Sequence, residues 1–184
     1  MFHDTLIGGW KVKRVWRKPE YRIRGLVRNA SGQAVPDPGR PQPGMLLARG
    51  AAVVLEAAGF ASLKEFPLGN GRRVDLIGLD ERGRIAIVEV KSSLADYRAD
   101  GKWMDYLPYC DLFFFAVPED FPLAVLEEGE AVVDRIGIMV VDGYAGAIRR
   151  RPRLQPLHPA RRKALTLRFA RAAARRLKGG AVSW

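Results

Sequence analysis

The sequence holds a single cysteine, Cys110, and two histidines, His3 and His158, among 184 residues. One cysteine cannot form an internal disulfide, so nothing points to an oxidising compartment, and the expected location is cytoplasmic, nucleoid association included. Cys110 precedes the aspartate of an apolar run and has no evident basic partner, the setting of a packed thiol rather than a nucleophile. The isolated histidines lack metal-ligand spacing. Long hydrophobic runs are missing too. "AAVVLEAAGF" and "DLFFFAV" are too short or too interrupted to span a bilayer, and the N-terminus has no apolar signal-peptide core, so no membrane passage is expected. Acids are absent from the last stretch, where residues 149 to 184 carry twelve Lys or Arg and no Asp or Glu.

The chain is 48% hydrophobic and 28% charged, which suits one globular domain with a real core. Its net charge of +11 is unevenly spread: +6 over residues 1 to 44, +12 over 149 to 184, and −7 between them. Basic ends beside an acidic body suggest a polyanion partner, with phosphates met by the ends and a metal ion met by the acids. Residues 29 to 44, "NASGQAVPDPGRPQPG", have linker composition, so 1 to 44 is expected to be a basic, Pro- and Gly-rich disordered tail. Residues 45 to 178 form the expected domain, and 179 to 184 a C-terminal tail.

Within the domain, "GMLLARGAAVVLEAAGF" predicts a helix stopped at Gly59, with Glu56 in its last turn. "ASLKEFPLG", "RRVDLIGLD" and "RIAIVEVKSS" predict three strands joined by Gly- and Asn-rich turns. "LADYRADGKWMDYLPYC" reads as a polar helical segment in which Trp103 belongs to the core. The strands "DLFFFAV", "RIGIMVVDG" and "GAIRRR" follow. "PARRKALTLRFARAAARRL" then makes a basic C-terminal helix over 159 to 178, opened by Pro159. This order predicts an α/β fold, a central mixed sheet with helices on both faces.

The second and third strands form a hairpin whose paired residue numbers sum to 164 if the turn centres on Arg82. Asp75 then faces Glu89 with roughly 5 Å between Cβ atoms, and Lys91 shares their face opposite Arg73. Ile77, Leu79, Ile85 and Ile87 continue that face as apolar residues, while Val74, Leu76, Val88 and Val90 fill the other. Charges gathered at one end of a hairpin buried on both sides imply a site. Two facing carboxylates repel unless one is protonated or a cation lies between them. Asp75, Glu89 and the Val90 carbonyl suit magnesium, with manganese as a substitute, and Lys91 would orient or deprotonate water or neutralise transition-state charge. A structural salt-bridge cluster would carry the same three residues.

Asp75 with Glu89, Val90 and Lys91 resembles the D…ExK signature of the PD-(D/E)XK nuclease superfamily, and Glu56 resembles its first-helix acid; Val74 stands where a proline often precedes the aspartate. More closely, "NGRRVDLIGLDERGRIAIVEVKSSLADYRADGKWMDYLPYCD", "FFAVPEDFPL" and "PARRKALTLRFARAAARRL" together resemble the MmcB family of DNA repair proteins over roughly residues 45 to 178. The resemblance implies a restriction-endonuclease-like fold and a magnesium-dependent DNA endonuclease working with other DNA repair proteins. It gives Asp75 and Glu89 as metal ligands, Lys91 beside the attacking water, and Glu56 assisting it. Lys102, Asp105 and Tyr106 are further candidates to line the site. The alternative is a non-catalytic DNA-binding or repair-scaffold protein that keeps the nuclease fold; an RNA-binding protein is favoured by the basic tails alone.

Arg161, Arg168 and Arg175 recur every seven residues on the last helix, with Arg171 and Lys178 alongside, and Leu165, Phe169 and Ala172 on another face. The stripe is expected to bind DNA phosphates. A solvated amphipathic helix, or one meeting an anionic membrane, would look the same, and the acidic pair favours nucleic acid.

Overall fold

In a computed structural model of the protein, residues 42–126 and 133–180 are described, with four short strands before them. Those are β1 (Thr5–Ile7), β2 (Trp10–Val12), β3 (Leu26–Arg28) and β4 (Ala34–Pro36), paired antiparallel as β1 with β2 and β3 with β4. The other residues of 1 to 41, and residues 181 to 184 of the C-terminal tail, lie outside the described residues, while Pro43 and Gly44 of the expected tail open the first helix. Then come α1 (Pro43–Ala57), β5 (Phe60–Pro67), β6 (Arg73–Asp80), β7 (Ile85–Val90), α2 (Leu94–Ala99), β8 (Leu112–Val117), β9 (Ile136–Val141), β10 (Gly146–Arg150) and α3 (Pro159–Gly180).

The last six strands form one mixed sheet in the order β10-β9-β8-β7-β6-β5. β7, β8 and β9 are parallel; the pairs at both edges are antiparallel. β7 and β8 are buried along their whole length, which explains why "IAIVEV" and "LFFFAV" are nearly unbroken apolar runs rather than alternating ones. One face packs on α1 through Leu47, Ala51, Val54 and Leu55 against Leu76, Val88, Phe114 and Met139. The other packs on α3 through Leu165 and Phe169, together with Tyr106, against Ile77, Ile87, Phe113 and Phe115. This is the α/β fold expected from the element order.

Two glycines set the geometry. Gly83 adopts φ +72° in the β6–β7 turn, where Asp80 accepts hydrogen bonds from the N–H groups of Arg82 and Arg84. Gly50 lets α1 approach the β9–β10 turn: a Cβ there would lie 1.9 Å from the Asp142 carbonyl oxygen.

The β6–β7 register pairs Leu76 with Val88 and Leu79 with Ile85, the sum of 164 expected from the turn. Beyond Leu76 the facing changes. Val74, expected with Leu76 on the α1 side, packs instead with Phe66 and Ile77 on the α3 side. At that point Glu65 on β5 takes a positive φ of 50°, next to the Phe66–Val74 pair, and the β6–β7 ladder ends at Leu76. The polar segment from Leu94 to Cys110 is also not one helix. α2 ends at Ala99, Asp100 is extended, and a 3-10 turn runs from Trp103 to Tyr109. Gly101 and Pro108 both disfavour a continuous α-helix.

Candidate active site

At the end of β7 the sheet stops using its own ladder. The Val90 N–H donates to Asp75 Oδ2 at 2.7 Å, so a side chain closes the gap where β6 and β7 diverge. Lys91 stays attached to the sheet by donating its N–H to the Ala116 carbonyl of β8 at 2.9 Å. Alternation then sends Glu89 and Lys91 to the α3 side with Ile85 and Ile87. Asp75 is half-buried, Glu89 is 7% exposed and Lys91 3% exposed.

The electrostatics follow from that burial. Loss of water, and then the neighbouring Asp75 carboxylate, push Glu89 up to about 8. Asp75 is raised as well, by burial first; the Val90 N–H and Lys91 oppose the shift, and Glu65 adds to it. Burial by itself would lower Lys91, but the Asp100 carboxylate with the charges of Glu89, Asp100 and Asp96 outweighs it and holds the ammonium above its ordinary value. Lys91 Nζ lies 3.6 Å from Glu89 Oε1 and forms a short ion pair with Asp100 Oδ2. Glu89 Oε2 is buried and has no hydrogen-bond partner among the described residues. That is a costly arrangement unless something else fills it.

The other expected residues divide. Tyr106 joins the cluster: it is buried, its hydroxyl lies 3.5 Å from the Arg73 carbonyl oxygen, and burial followed by the charges of Glu89, Asp100 and Asp75 pushes it up to about 12. Asp105 turns outward to an exposed ion pair with Arg72 at 2.8 Å. Lys102 is exposed and contributes its backbone N–H, donated to Asp100 Oδ1 at 3.0 Å. Arg73, expected opposite Lys91, pairs with Glu65 at 2.7 Å in solvent, because β7 ends at Val90 and Lys91 follows β8.

Glu56 stands apart from the cluster. It is exposed in the last turn of α1, on the opposite face of the sheet, and the chain runs directly into Phe60, whose register partner Asp80 is at the far end of β6 from Asp75. The first-helix acid is therefore not brought to the carboxylates. Asp100 is the residue that sequence reading missed. No periodicity singles it out, because it lies in extended backbone just past the end of α2.

The arginine stripe on α3 is partly committed to the fold. Arg161 donates to the Pro108 carbonyl at 2.8 Å and lies over the Tyr109 ring; Arg168 donates to the Pro67 carbonyl at 2.9 Å. Both line a groove of about 660 Å³ with Gly69, Tyr109, His158 and Leu165. Arg171 and Arg175 are exposed and face solvent. Cys110 is buried, and burial pushes its thiol well above the usual range, in line with packing. Trp103 is half-buried and stacks on Phe113 with ring centroids 5.7 Å apart. His158 is exposed, and His3 lies outside the described residues. No helix among them is long and apolar enough to cross a membrane.

The model of the DNA repair protein MmcB-like family matches residues 31–183. The chain belongs to the MmcB-like family. The match extends past both ends of the expected 45–178 domain. A protein of unknown function from Silicibacter pomeroyi is 43% identical to this MmcB-like chain, with a TM-score of 0.69, over 78% of this chain and 98% of that one. A repair endonuclease from Pyrococcus abyssi is 18% identical with a TM-score of 0.37, over 59% of this chain and 50% of that one, too remote a likeness to bear on function. No curated protein matches the chain.

Proposed function

We propose that this MmcB-like protein is a divalent-metal-dependent DNA endonuclease of the PD-(D/E)XK type. The observation that carries the reading is Glu89 Oε2, a buried acceptor with no partner among the described residues, beside a second carboxylate and a charged lysine. Membership in a DNA repair family supports DNA as the substrate.

The residues present fit a hard cation. Two carboxylates and a backbone carbonyl are oxygen donors of the kind magnesium takes, few in number because the ion keeps several waters. Asp75, Glu89 and the Val90 carbonyl would hold it, with Mn2+ as a substitute for Mg2+. Bound there, the ion supplies Lewis-acid polarisation and lowers the pKa of water at a phosphodiester. The protein's own contribution is electrostatic. Lys91 is held protonated above all by its ion pair with Asp100, which supports charge neutralisation at the phosphate oxygens over proton abstraction. Tyr106 stays a neutral hydroxyl beside the acids and can donate to a phosphate oxygen. Arg171 and Arg175 suit phosphate contacts on the flanking duplex.

The test is incubation of the full chain with supercoiled, nicked, branched and single-stranded DNA, with and without Mg2+ or Mn2+, beside Lys91→Ala. Cleavage is expected only with the cation, and Lys91→Ala should lower its rate by roughly 10²- to 10³-fold. Unchanged cleavage by Lys91→Ala would remove that residue from the mechanism. Binding without cleavage of any form would make the protein a non-catalytic DNA-binding scaffold.

A further inference from the structure

We infer that Asp100 is a positioning residue that anchors the Lys91 ammonium against the Asp75–Glu89 pair. The inference rests on the nuclease reading for what Lys91 does, while the contact itself can be tested without it.

A lysine at a strand end has a flexible four-carbon stem and three rotatable donors, so its charge does not stay in one place without an acceptor. Glu89 does not hold it, because 3.6 Å is beyond a good hydrogen bond. The close partner is Asp100 Oδ2. Asp100 is fixed in turn: its Oδ1 accepts the Lys102 N–H at 3.0 Å, and its own N–H donates to the Tyr97 carbonyl at 3.3 Å.

The placement of α2 reinforces this. None of its residues is fully buried, so apolar packing holds it weakly, Tyr97 meeting Phe115 edge-on at 5.4 Å. Polar ties join it to the end of β7 at both of its own ends. Asp96 accepts from Ser92 N–H at 2.9 Å and from Ser92 Oγ at 3.1 Å, and Asp100 pairs with Lys91. Lys91 and Ser92 are adjacent, so Asp96 in the first turn of α2 and Asp100 just past its last residue tie the helix to the two residues that follow β7. Asp100 is not itself a metal ligand in this arrangement. Both its oxygens are occupied by protein donors, whereas Glu89 Oε2 is not.

The experiment uses the full chain and reads lysine acetylation by an acylating reagent, residue by residue, by mass spectrometry. Lys91 is expected to react more slowly than the exposed Lys102 in the unmodified protein, several-fold faster in Asp100→Asn, and slowly again in Asp100→Glu, which keeps the charge. Calorimetry with Mg2+ alone should give the same affinity for Asp100→Asn as for the parent, in contrast to Glu89→Gln. In DNA cleavage, kcat should fall roughly 10- to 100-fold in Asp100→Asn, as for other residues that orient a metal site's groups, with KM unchanged and partial rescue by Asp100→Glu. The inference is overturned if Lys91 reacts as fast as Lys102 in the parent protein, if Asp100→Asn leaves its reactivity unchanged, or if Asp100→Asn weakens Mg2+ as much as Glu89→Gln does. A parent protein that cuts no DNA defeats the nuclease reading, and the acetylation pattern then still decides whether Asp100 is the anchor.

Discussion

Glu89 is a carboxyl that the apo fold holds at a disadvantage when ionised, and this makes it a reporter. Its folded-state value of about 8 lies above its ordinary 4.5, so the folded protein keeps a proton that the unfolded chain releases. Stability from that group is complete below 4.5 and is lost as pH rises through 8. Asp75, also raised, acts with the same sign. Without divalent cations the melting temperature should therefore fall as pH rises across that window, and Glu89→Gln should flatten the fall. Added Mg2+ should raise the parent's stability by about 2.7 kcal/mol at a hundred times its Kd, and Glu89→Gln should abolish the gain. A pH slope identical in parent and variant would mean that Glu89 is ionised in the apo fold. At this scale the sequence was informative in part: one turn centre gave the register of the hairpin, but the ladder ends at the Leu76–Val88 pair, before Asp75 and Glu89, and Lys91 lies past the end of β7. Asp100 was hidden because a loop, not a repeating element, brings it to Lys91.

The elements were legible where one periodicity governed them. Each expected strand of the domain has its counterpart in β5 to β10, and Pro159 opens α3. Beside the broken helix after β7 and the lost Arg73–Lys91 pairing, the readings of Val74 and Glu56 failed where geometry depends on neighbours. Val74 changed face where the β6–β7 ladder ends, beside Glu65, which takes a positive φ on the adjacent strand. Glu56 is remote because α1 lies antiparallel to β5 on the α1 face of the sheet, which puts the helix's last turn at the far end from Asp75. On α3 the seven-residue arginine repeat was correct as a pattern and mixed in use: Arg161 and Arg168 tie the helix to chain carbonyls, while Arg171 and Arg175 face solvent. The double substitution Arg171→Ala with Arg175→Ala should weaken DNA binding about equally across sequences and lower the salt slope by about 2. An unaltered slope in filter binding would mark the stripe as a solvated surface.

For the whole molecule, a buried ion pair fastens the basic C-terminal helix to the acidic body. Asp111 is 2% exposed and accepts four hydrogen bonds: from the Ile85 and Leu157 N–H groups at 2.7 and 3.0 Å, and from Arg162 at 2.8 and 2.6 Å. Although burial opposes ionisation, the Arg162 guanidinium and the two backbone donors hold Asp111 below its ordinary value. This stability is present above 3.8 and lost as pH falls through the folded value, opposite in sign to Glu89. Arg162→Ala leaves a buried carboxylate without its counter-charge and should cost about 3–5 kcal/mol in chemical denaturation. A loss under 1 kcal/mol, the range of exposed pairs, would mean that water or another cation replaces Arg162.

By itself the sequence determined the six strands of the sheet, the first and last helices of the domain and the register of the hairpin. Each of these depends on short-range periodicity or a local turn. Only the tertiary structure decided which charges meet: Asp100 with Lys91, Arg162 with Asp111, and Glu56 with neither. Those contacts join residues through loops and packed layers, where chain direction and burial, rather than spacing along the sequence, fix the distance.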